Sequence, residues 1–232
     1  MKKVFNQLVK SALQSTRNIS PGIITEEDLR TLPIIVQKYL RKCAVVGSKK
    51  TLNIRAEMTG KMYSTIGDTG MKINSVQYNF FEPYSRFFFI KAIKMGIPAV
   101  GLHAYKDEKA IMKIKLAGLF TIADAKGPEM DQGETVTLLN DMCFLAPASL
   151  ISKNVKWEII EPTIVKAIFT NGNLKVSAIL YFDDEGNLVN FISNDRFETK
   201  DGKEYKNYPW STPVIEFREI NGIMRPAIAR AI

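Results

Sequence analysis

Apolar residues recur at helical spacing near the start of the chain. Over residues 4–14 they form one face, which predicts a short amphipathic helix. A second helical pattern runs from Thr25 to Gly47, and Pro33 either kinks it or begins its second half. We therefore expect residues 1–47 to form a helical N-terminal segment.

The period of the pattern changes from helical to two at residue 51. In TLNIRAEMTGKMY, apolar and polar residues alternate, as expected of a strand with one buried face. Further alternating segments follow, separated by short polar turns. They predict five antiparallel strands over residues 51–126.

A helical pattern then interrupts the strands. It follows the turn GPEMDQGE and predicts a helical insertion over residues 131–152. Alternation resumes over residues 155–232 and predicts five or so further strands. Two Asn-Gly pairs in this region, at 171–172 and at 221–222, predict tight hairpin turns.

The predicted fold class is mainly β (α+β). About ten strands would form one strongly curved antiparallel sheet or open barrel, because a flat sheet of that size leaves long edges and buries little apolar surface. The inserted helix would lie across the mouth of this sheet as a lid. The sequence contains no linker, repeat or low-complexity tract, so we expect residues 1–232 to form a single domain.

The composition adds little to this picture. With 46% hydrophobic and 24% charged residues, the chain has the balance of an ordinary globular protein. No apolar run reaches the roughly 18 residues that a membrane-spanning helix needs, and the N-terminal apolar stretch is too interrupted for a signal peptide. As it stands, the sequence predicts a cytoplasmic protein. The last predicted strand runs almost to Ile232, so we expect a further strand beyond it.

Positive charge is concentrated at the start of the chain. Residues 1–61 contain twelve Lys and Arg against four Asp and Glu, whereas the remainder contains 20 of each. This asymmetry is typical of a solvated helical face, and it would also suit peripheral contact with an anionic membrane. Nucleic acid is not expected as a partner, because no nucleic-acid-binding signature is present.

Cysteine and histidine are scarce. Cys43, Cys143 and His103 are too few for a four-ligand zinc site, so we expect no metal and no other cofactor. The two cysteines lie on apolar faces and are expected to be buried, reduced thiols. A catalytic triad would have to use His103, which lies in an alternating β segment.

Several spaced motifs resemble a widespread bacterial family known only as a domain of unknown function. These motifs are KLAGLFTIADAKGPEMDQGE, LLNDMCFLAPASLI, VKW, SNDRFE and YPWSTPV. The resemblance covers about residues 30–230. It implies a list of candidate positions rather than an activity, and it implies that the chain continues beyond Ile232. The layout is also similar to the open barrel of bacterial lipoprotein carriers, in which a helical lid covers an apolar sheet.

The carboxylates of the GPEMDQGE turn have two interpretations. Asp131 and Glu134 have the spacing of a capping box, so helix capping accounts for both. Alternatively, Glu129 and Asp131 face a cleft as part of a polar site. Their spacing does not match a calcium-binding loop.

Asp195 and Arg196 are a second polar candidate. Neighbours on a strand point to opposite faces, so one of the two faces inward in a concave sheet. An inward Arg196 would need an acidic partner, and Asp124, Glu129 or Asp131 could supply it. Such a pair would act either as a structural lock or as part of a site.

The leading functional interpretation is a non-enzymatic protein that binds an apolar or lipid-like ligand under the helical lid, although ordinary core packing also accounts for the aromatic residues. The candidate wall residues are Phe87, Phe89, Trp157 and Trp210. The candidate residues of the polar mouth are Glu129, Asp131, Asp195 and Arg196. Two alternatives remain. One is an enzyme that uses carboxylate acid–base chemistry with Arg196 as an anion-binding group. The other is a membrane- or envelope-associated scaffold that uses the basic N-terminal region.

Overall fold

The structure is a computed structural model of the 232-residue chain, and it describes residues 1–63, 67–94 and 96–232. The protein is mainly β, with 48% strand and 21% helix, and its sheets are antiparallel. This confirms the predicted fold class. Residues 64–66 and 95, which fall within the predicted strand region 51–126, lie outside the described residues.

The chain forms two compact units, each assembled from separate stretches of sequence. The first unit comprises residues 1–19, 53–131 and 198–206, and the second comprises residues 20–52, 132–197 and 207–232. The single domain over residues 1–232 stays a prediction.

A six-stranded antiparallel sheet forms the body of the first unit, and each strand pairs with the next along the chain. The strands are β1 (Asn53–Met62), β2 (Met71–Phe81), β3 (Tyr84–Lys94), β4 (Ile97–Lys106), β5 (Lys109–Leu116) and β6 (Phe120–Lys126). The sequence predicted five strands here. The sixth was missed because the turn between β5 and β6 uses Ala117 and Gly118, at φ 50° and 72°, and Ala-Gly is not a common hairpin signal.

Helix α1 (Lys2–Thr16) packs on one face of this sheet. Its apolar side chains Phe5 and Val9 are buried in a cluster with Phe87 and Phe89 of β3. Val76 of β2 lies directly opposite Phe89 in the strand register, so its side chain shares that face.

The second unit contains a five-stranded antiparallel sheet in the order β13, β10, β9, β8, β7. The strands are β7 (Val155–Glu161), β8 (Ile164–Asn171), β9 (Leu174–Phe182), β10 (Leu188–Ser193) and β13 (Trp210–Ser211). Short strands β11 (Phe197–Glu198) and β12 (Lys206–Asn207) pair with each other, as do β14 (Val214–Ile220) and β15 (Ile223–Ala229). The turn between β14 and β15 is the predicted Asn-Gly pair, with positive φ at both Asn221 and Gly222.

The remaining helices are α2 (Ile34–Lys42) and α3 (Pro128–Phe144). Helix α2 begins directly after Pro33, and a 3-10 turn at Glu27–Leu29 precedes it. Helix α3 begins at Pro128 rather than at residue 131, because proline is well suited to the first position of a helix. A 3-10 turn at Pro147–Leu150 follows α3.

Two features of the predicted architecture need correction. Residues 133–144 of α3 are all buried, whereas a lid would expose its outer side. Large apolar residues such as Val136, Leu138 and Leu139 point to different sides of α3, and a helix of that kind is buried all round. In addition, the strands do not form one sheet of about ten. In the described part of the chain they are divided among a six-stranded sheet, a five-stranded sheet and two strand pairs.

Candidate functional site

A cleft of about 960 Å³ lies between α1 and strands β1 to β3. Every residue that lines it belongs to the first unit. Its volume falls within the roughly 300–1,000 Å³ typical of sites for small molecules. We therefore take this cleft as the candidate binding site.

The floor of the cleft is apolar. Phe5 and Val9 of α1 are 4% and 6% exposed, and the Phe5 ring lies 5.7 Å from the Phe89 ring, centroid to centroid. Leu13, one helical turn beyond Val9, also lines the cleft but is 40% exposed. Val76 and Tyr78 complete the apolar lining from the sheet. Helix α1 therefore seals the cleft near its start and leaves apolar surface accessible near its end.

The rim of the cleft is cationic. Its charged residues are Lys2, Lys10, Arg17, Arg55, Glu57 and Lys91. Arg55 forms an ion pair with Glu57, and its guanidinium carbon lies 6.0 Å from the centroid of the Tyr78 ring. The other four cations form no ion pair within the described part of the chain. The rim therefore has an uncompensated positive charge beside an apolar floor.

The four predicted wall residues are divided between the two units. Phe89 lines the cleft, and Phe87 lies in the core behind it with its ring 6.0 Å from that of Phe80. Trp157 and Trp210 belong to the second unit. The indole Nε1 of Trp157 is buried and has no hydrogen-bond partner among the described residues. A single cavity with all four residues in its wall stays a prediction.

Asp131 has a fixed place in the first unit. Its side chain is 4% exposed, and its carboxylate accepts a hydrogen bond of 2.7 Å from the Ala110 N–H and one of 2.9 Å from Lys109 Nζ. The hydrogen bond between the Lys109 and Asp131 side chains raises the pKa of Lys109. The Asp131 N–H donates to the carbonyl of Gly127, so the residue lies inside α3 and the capping interpretation is wrong for it. Instead, Asp131 anchors the first turn of α3 to β5.

The other predicted mouth residues occupy different settings. Glu129 is half-buried in the first turn of α3, where the helix dipole favours a carboxylate. Asp195 accepts hydrogen bonds from the N–H and hydroxyl of Ser177, at 2.7 and 3.1 Å. The Arg196 guanidinium carbon lies 4.7 Å from the centroid of the Trp210 ring, a cation–π contact. The structure thus brings Arg196 and Trp210 together, while the pairing of Arg196 with Asp124, Glu129 or Asp131 stays a prediction.

The contributions of α1 and β1 to the cleft were missed by the sequence reasoning. The basic N-terminal region was interpreted as a solvated face or a membrane contact. A usable signal was present, because the stripe of Phe5, Val9 and Leu13 is flanked by Lys2 and Lys10. What the pattern could not reveal is that the sheet covers this stripe only in part.

The cysteines and the histidine, the residue types typical of metal and nucleophile sites, do not line the cleft. Within residues 1–63, 67–94 and 96–232, no three His, Cys, Asp or Glu side chains are grouped so as to hold a metal ion. Cys43 and Cys143 are free and buried, and burial raises the pKa of both thiols. His103 lies edge-on to the Phe88 ring, at 5.6 Å between centroids. Of the described helices, none has the length and apolar character needed to cross a bilayer.

The fold and the cleft define a mainly β protein with a ligand-sized apolar site. Residues 22–232 match the model of a family described as "Family of unknown function (DUF6544)", and the chain belongs to this family. The resemblance to an uncharacterised family is thereby confirmed. Helix α1, which forms one wall of the cleft, precedes the matched region. No curated protein matches the chain.

Proposed function

We propose that the first unit binds an anionic amphiphile, such as a long-chain fatty acid, in the cleft between α1 and the six-stranded sheet. The observation that carries this proposal is the combination of an apolar floor and a cationic rim around about 960 Å³. The covering element in this proposal is α1, not α3. The protein would act by sequestering or presenting its ligand, without chemical conversion.

The apolar part of the ligand would lie on the accessible surface near Leu13. Leu13 and Val76 retain solvent exposure in the cleft, and a hydrocarbon chain placed there would remove their surface from water. Burial of this kind contributes roughly 25 cal/mol for each Å² of apolar surface.

The carboxylate of the ligand would be held at the rim. Lys10, Arg17 and Lys91 line the cleft and offer charge-assisted hydrogen bonds. Because these side chains are exposed, salt would screen their attraction. We therefore expect affinity for a fatty acid to decrease with ionic strength, and affinity for the corresponding uncharged alcohol to change little.

The first test is direct detection of the ligand. Organic extraction of the purified protein, followed by mass spectrometry, should recover acyl lipids. A fluorescent fatty acid should bind saturably in a one-to-one ratio and be displaced by oleate. Recovery of no lipid together with non-saturable probe fluorescence would reject the proposal.

A pair of variants on α1 tests the location of the site. Leu13→Trp should fill the cleft and weaken probe binding at least tenfold. Val4→Trp is the matched control, because Val4 lies on the same helix, is 46% exposed and does not line the cleft. Equal probe affinity in the two variants would place the binding elsewhere.

A charge variant tests the role of the rim. Lys91→Glu should weaken binding of the fatty acid and leave binding of the uncharged alcohol nearly unchanged. Lys3→Glu is the control, because Lys3 is an exposed lysine of α1 outside the cleft lining. If Lys91→Glu weakens the binding of both ligands equally, the rim recognises the shape of the ligand and not its charge.

A further inference from the structure

Three hairpin turns lie at one end of the six-stranded sheet. Because each strand runs antiparallel to the next, the turns β1–β2, β3–β4 and β5–β6 share that end, and the turns β2–β3 and β4–β5 share the other. Neighbouring strands are about 4.8 Å apart, so the three turns span a row of about 19 Å.

Large apolar side chains are exposed around all three turns. Seven of them are between 44% and 76% exposed: Met62, Tyr63, Ile93, Ile97, Leu119, Phe120 and Ile122. We call these seven residues, together with Lys61 and Lys72, the hairpin-tip surface. Exposure of this many large apolar side chains at one end of a sheet marks an interaction site.

Lysines accompany the apolar side chains. Lys61 and Lys72 are direct cross-strand partners in β1 and β2, and like charges in that position repel each other. In the described part of the chain, neither lysine forms an ion pair. An anion between them would relieve the repulsion.

The opposite end of the same sheet has a different character. Its turns contain acidic residues, Glu82 between β2 and β3, and Asp107 with Glu108 between β4 and β5. The hairpin-tip end also contains one carboxylate, Asp68, which accepts a hydrogen bond of 3.3 Å from the Gly70 N–H. At the opposite end, Lys106 and Lys109 flank Asp107 and Glu108 and are themselves cross-strand partners, so the charge there is mixed. The hairpin-tip end is distinguished by its exposed apolar side chains together with Lys61 and Lys72.

We propose that the hairpin-tip surface docks on an anionic lipid bilayer. The apolar side chains would enter the boundary between headgroups and acyl chains, and Lys61 and Lys72 would bind lipid phosphates. A bilayer suits this surface better than a protein partner, because lysine is depleted at protein interfaces and the apolar residues are spread over three separate turns. This docking is independent of any ligand in the cleft.

Vesicle co-sedimentation of the full chain tests the proposal. The protein should bind phosphatidylcholine vesicles that contain phosphatidylglycerol, bind pure phosphatidylcholine at least tenfold more weakly, and be released by high salt. Absence of binding to the anionic vesicles at low salt would overturn the proposal.

Matched variants locate the contact. Leu119→Ser with Phe120→Ser should weaken vesicle binding at least tenfold, and Lys61→Glu with Lys72→Glu should do the same. The control is Ile159→Ser with Ile160→Ser on β7, where the exposed fractions are 69% and 50%. All three double variants replace exposed side chains, and circular dichroism should show wild-type folding.

Two further outcomes would contradict docking through the tips. If Lys2→Glu with Lys3→Glu abolishes vesicle binding while both tip variants retain it, the basic helix α1 makes the contact instead. If the wild-type protein dimerises in analytical ultracentrifugation and Leu119→Ser with Phe120→Ser abolishes the dimer, a second copy of the chain covers this surface. Loss of vesicle binding in the tip variants with unchanged fatty-acid binding would support docking and separate it from the function of the cleft.

Discussion

Helices α1 and α3 differ in how much of their surface is covered. Helix α1 buries Phe5 and Val9 but leaves Val4 and Leu13 at least 40% exposed, so a cleft remains beside it. Residues 133–144 of α3 are buried throughout. The difference is visible in the sequences, because α1 has one apolar stripe whereas α3 has apolar residues on several sides. Helix α3 also buries the polar side chains of Glu134, Asn140 and Asp141. A helix with a narrow stripe can cover a sheet and still leave room for a ligand.

Polar contacts reinforce this contrast in the second unit. The Tyr39 hydroxyl donates a buried hydrogen bond of 2.5 Å to the carbonyl of Cys143, and the Asn140 amide donates one of 2.9 Å to the Thr212 hydroxyl. Both bonds fix the side of α3 to other elements of that unit. We therefore expect the second unit to depend strongly on its core, and the first unit to tolerate changes in its cleft.

The largest effect should come from Leu139→Ala. Leu139 of α3 is completely buried, and such a truncation costs about 2–5 kcal/mol of unfolding free energy. Leu13→Ala in α1 should cost less than about 1 kcal/mol, since Leu13 is already 40% exposed. Urea unfolding measures both. Equal losses would contradict the distinction between the two helices.

A smaller loss is expected from Asp131→Ala in the first unit. The substitution leaves the buried Ala110 N–H without its acceptor, at a cost of about 1–3 kcal/mol. Asp131→Asn keeps an oxygen at that position and should retain more of the stability. If the two variants unfold at the same urea concentration, the hydrogen bond to Ala110 does not anchor α3.

Alkaline pH should weaken the second unit. Burial raises the pKa of Tyr39, Cys43 and Cys143, so all three groups stay protonated when folded and ionise more readily when unfolded. Their stabilisation is complete below the unfolded pKa values, about 8.5 for Cys and about 10 for Tyr, and is lost as pH rises above them. In that range the free energy of unfolding decreases by up to about 1.4 kcal/mol per pH unit for each group.

The variant Tyr39→Phe separates the contribution of the tyrosine from that of the two thiols. It should lower the free energy of unfolding at pH 8, because the hydrogen bond to the Cys143 carbonyl is lost. It should also reduce the loss of unfolding free energy with rising pH above pH 10. Unfolding free energies measured from pH 8 to 11 give both quantities. An unchanged slope above pH 10 would show that Tyr39 is not the group responsible.

The smallest effect on stability should come from Arg55→Gln at the rim of the cleft. The ion pair between Arg55 and Glu57 is exposed on both sides, and such pairs contribute less than about 1 kcal/mol. A larger loss would mean that the rim is part of the structural framework rather than an adaptable binding surface.

The sequence predicted local structure better than it predicted assembly. Alternation revealed most strands, and Asn221 with Gly222 forms the expected turn. Periodicity shows which side of a strand is buried, but not which sheet the strand joins, so one sheet was expected where the described residues form a six-stranded sheet, a five-stranded sheet and two strand pairs. Likewise, the aromatic character of Phe89 predicted that it would line a ligand site. Leu13 also lines the cleft but was not predicted, because the apolar stripe of a helix does not show how completely the stripe is covered.

The most direct test of the central claim is a methyl NMR titration with lauric acid. If α1 and the sheet form the binding site, the methyl resonances of Leu13, Val9 and Val76 will shift saturably, and those of Leu138 and Leu139 in α3 will not. Shifts confined to α3, or no saturable shifts at all, would contradict the account.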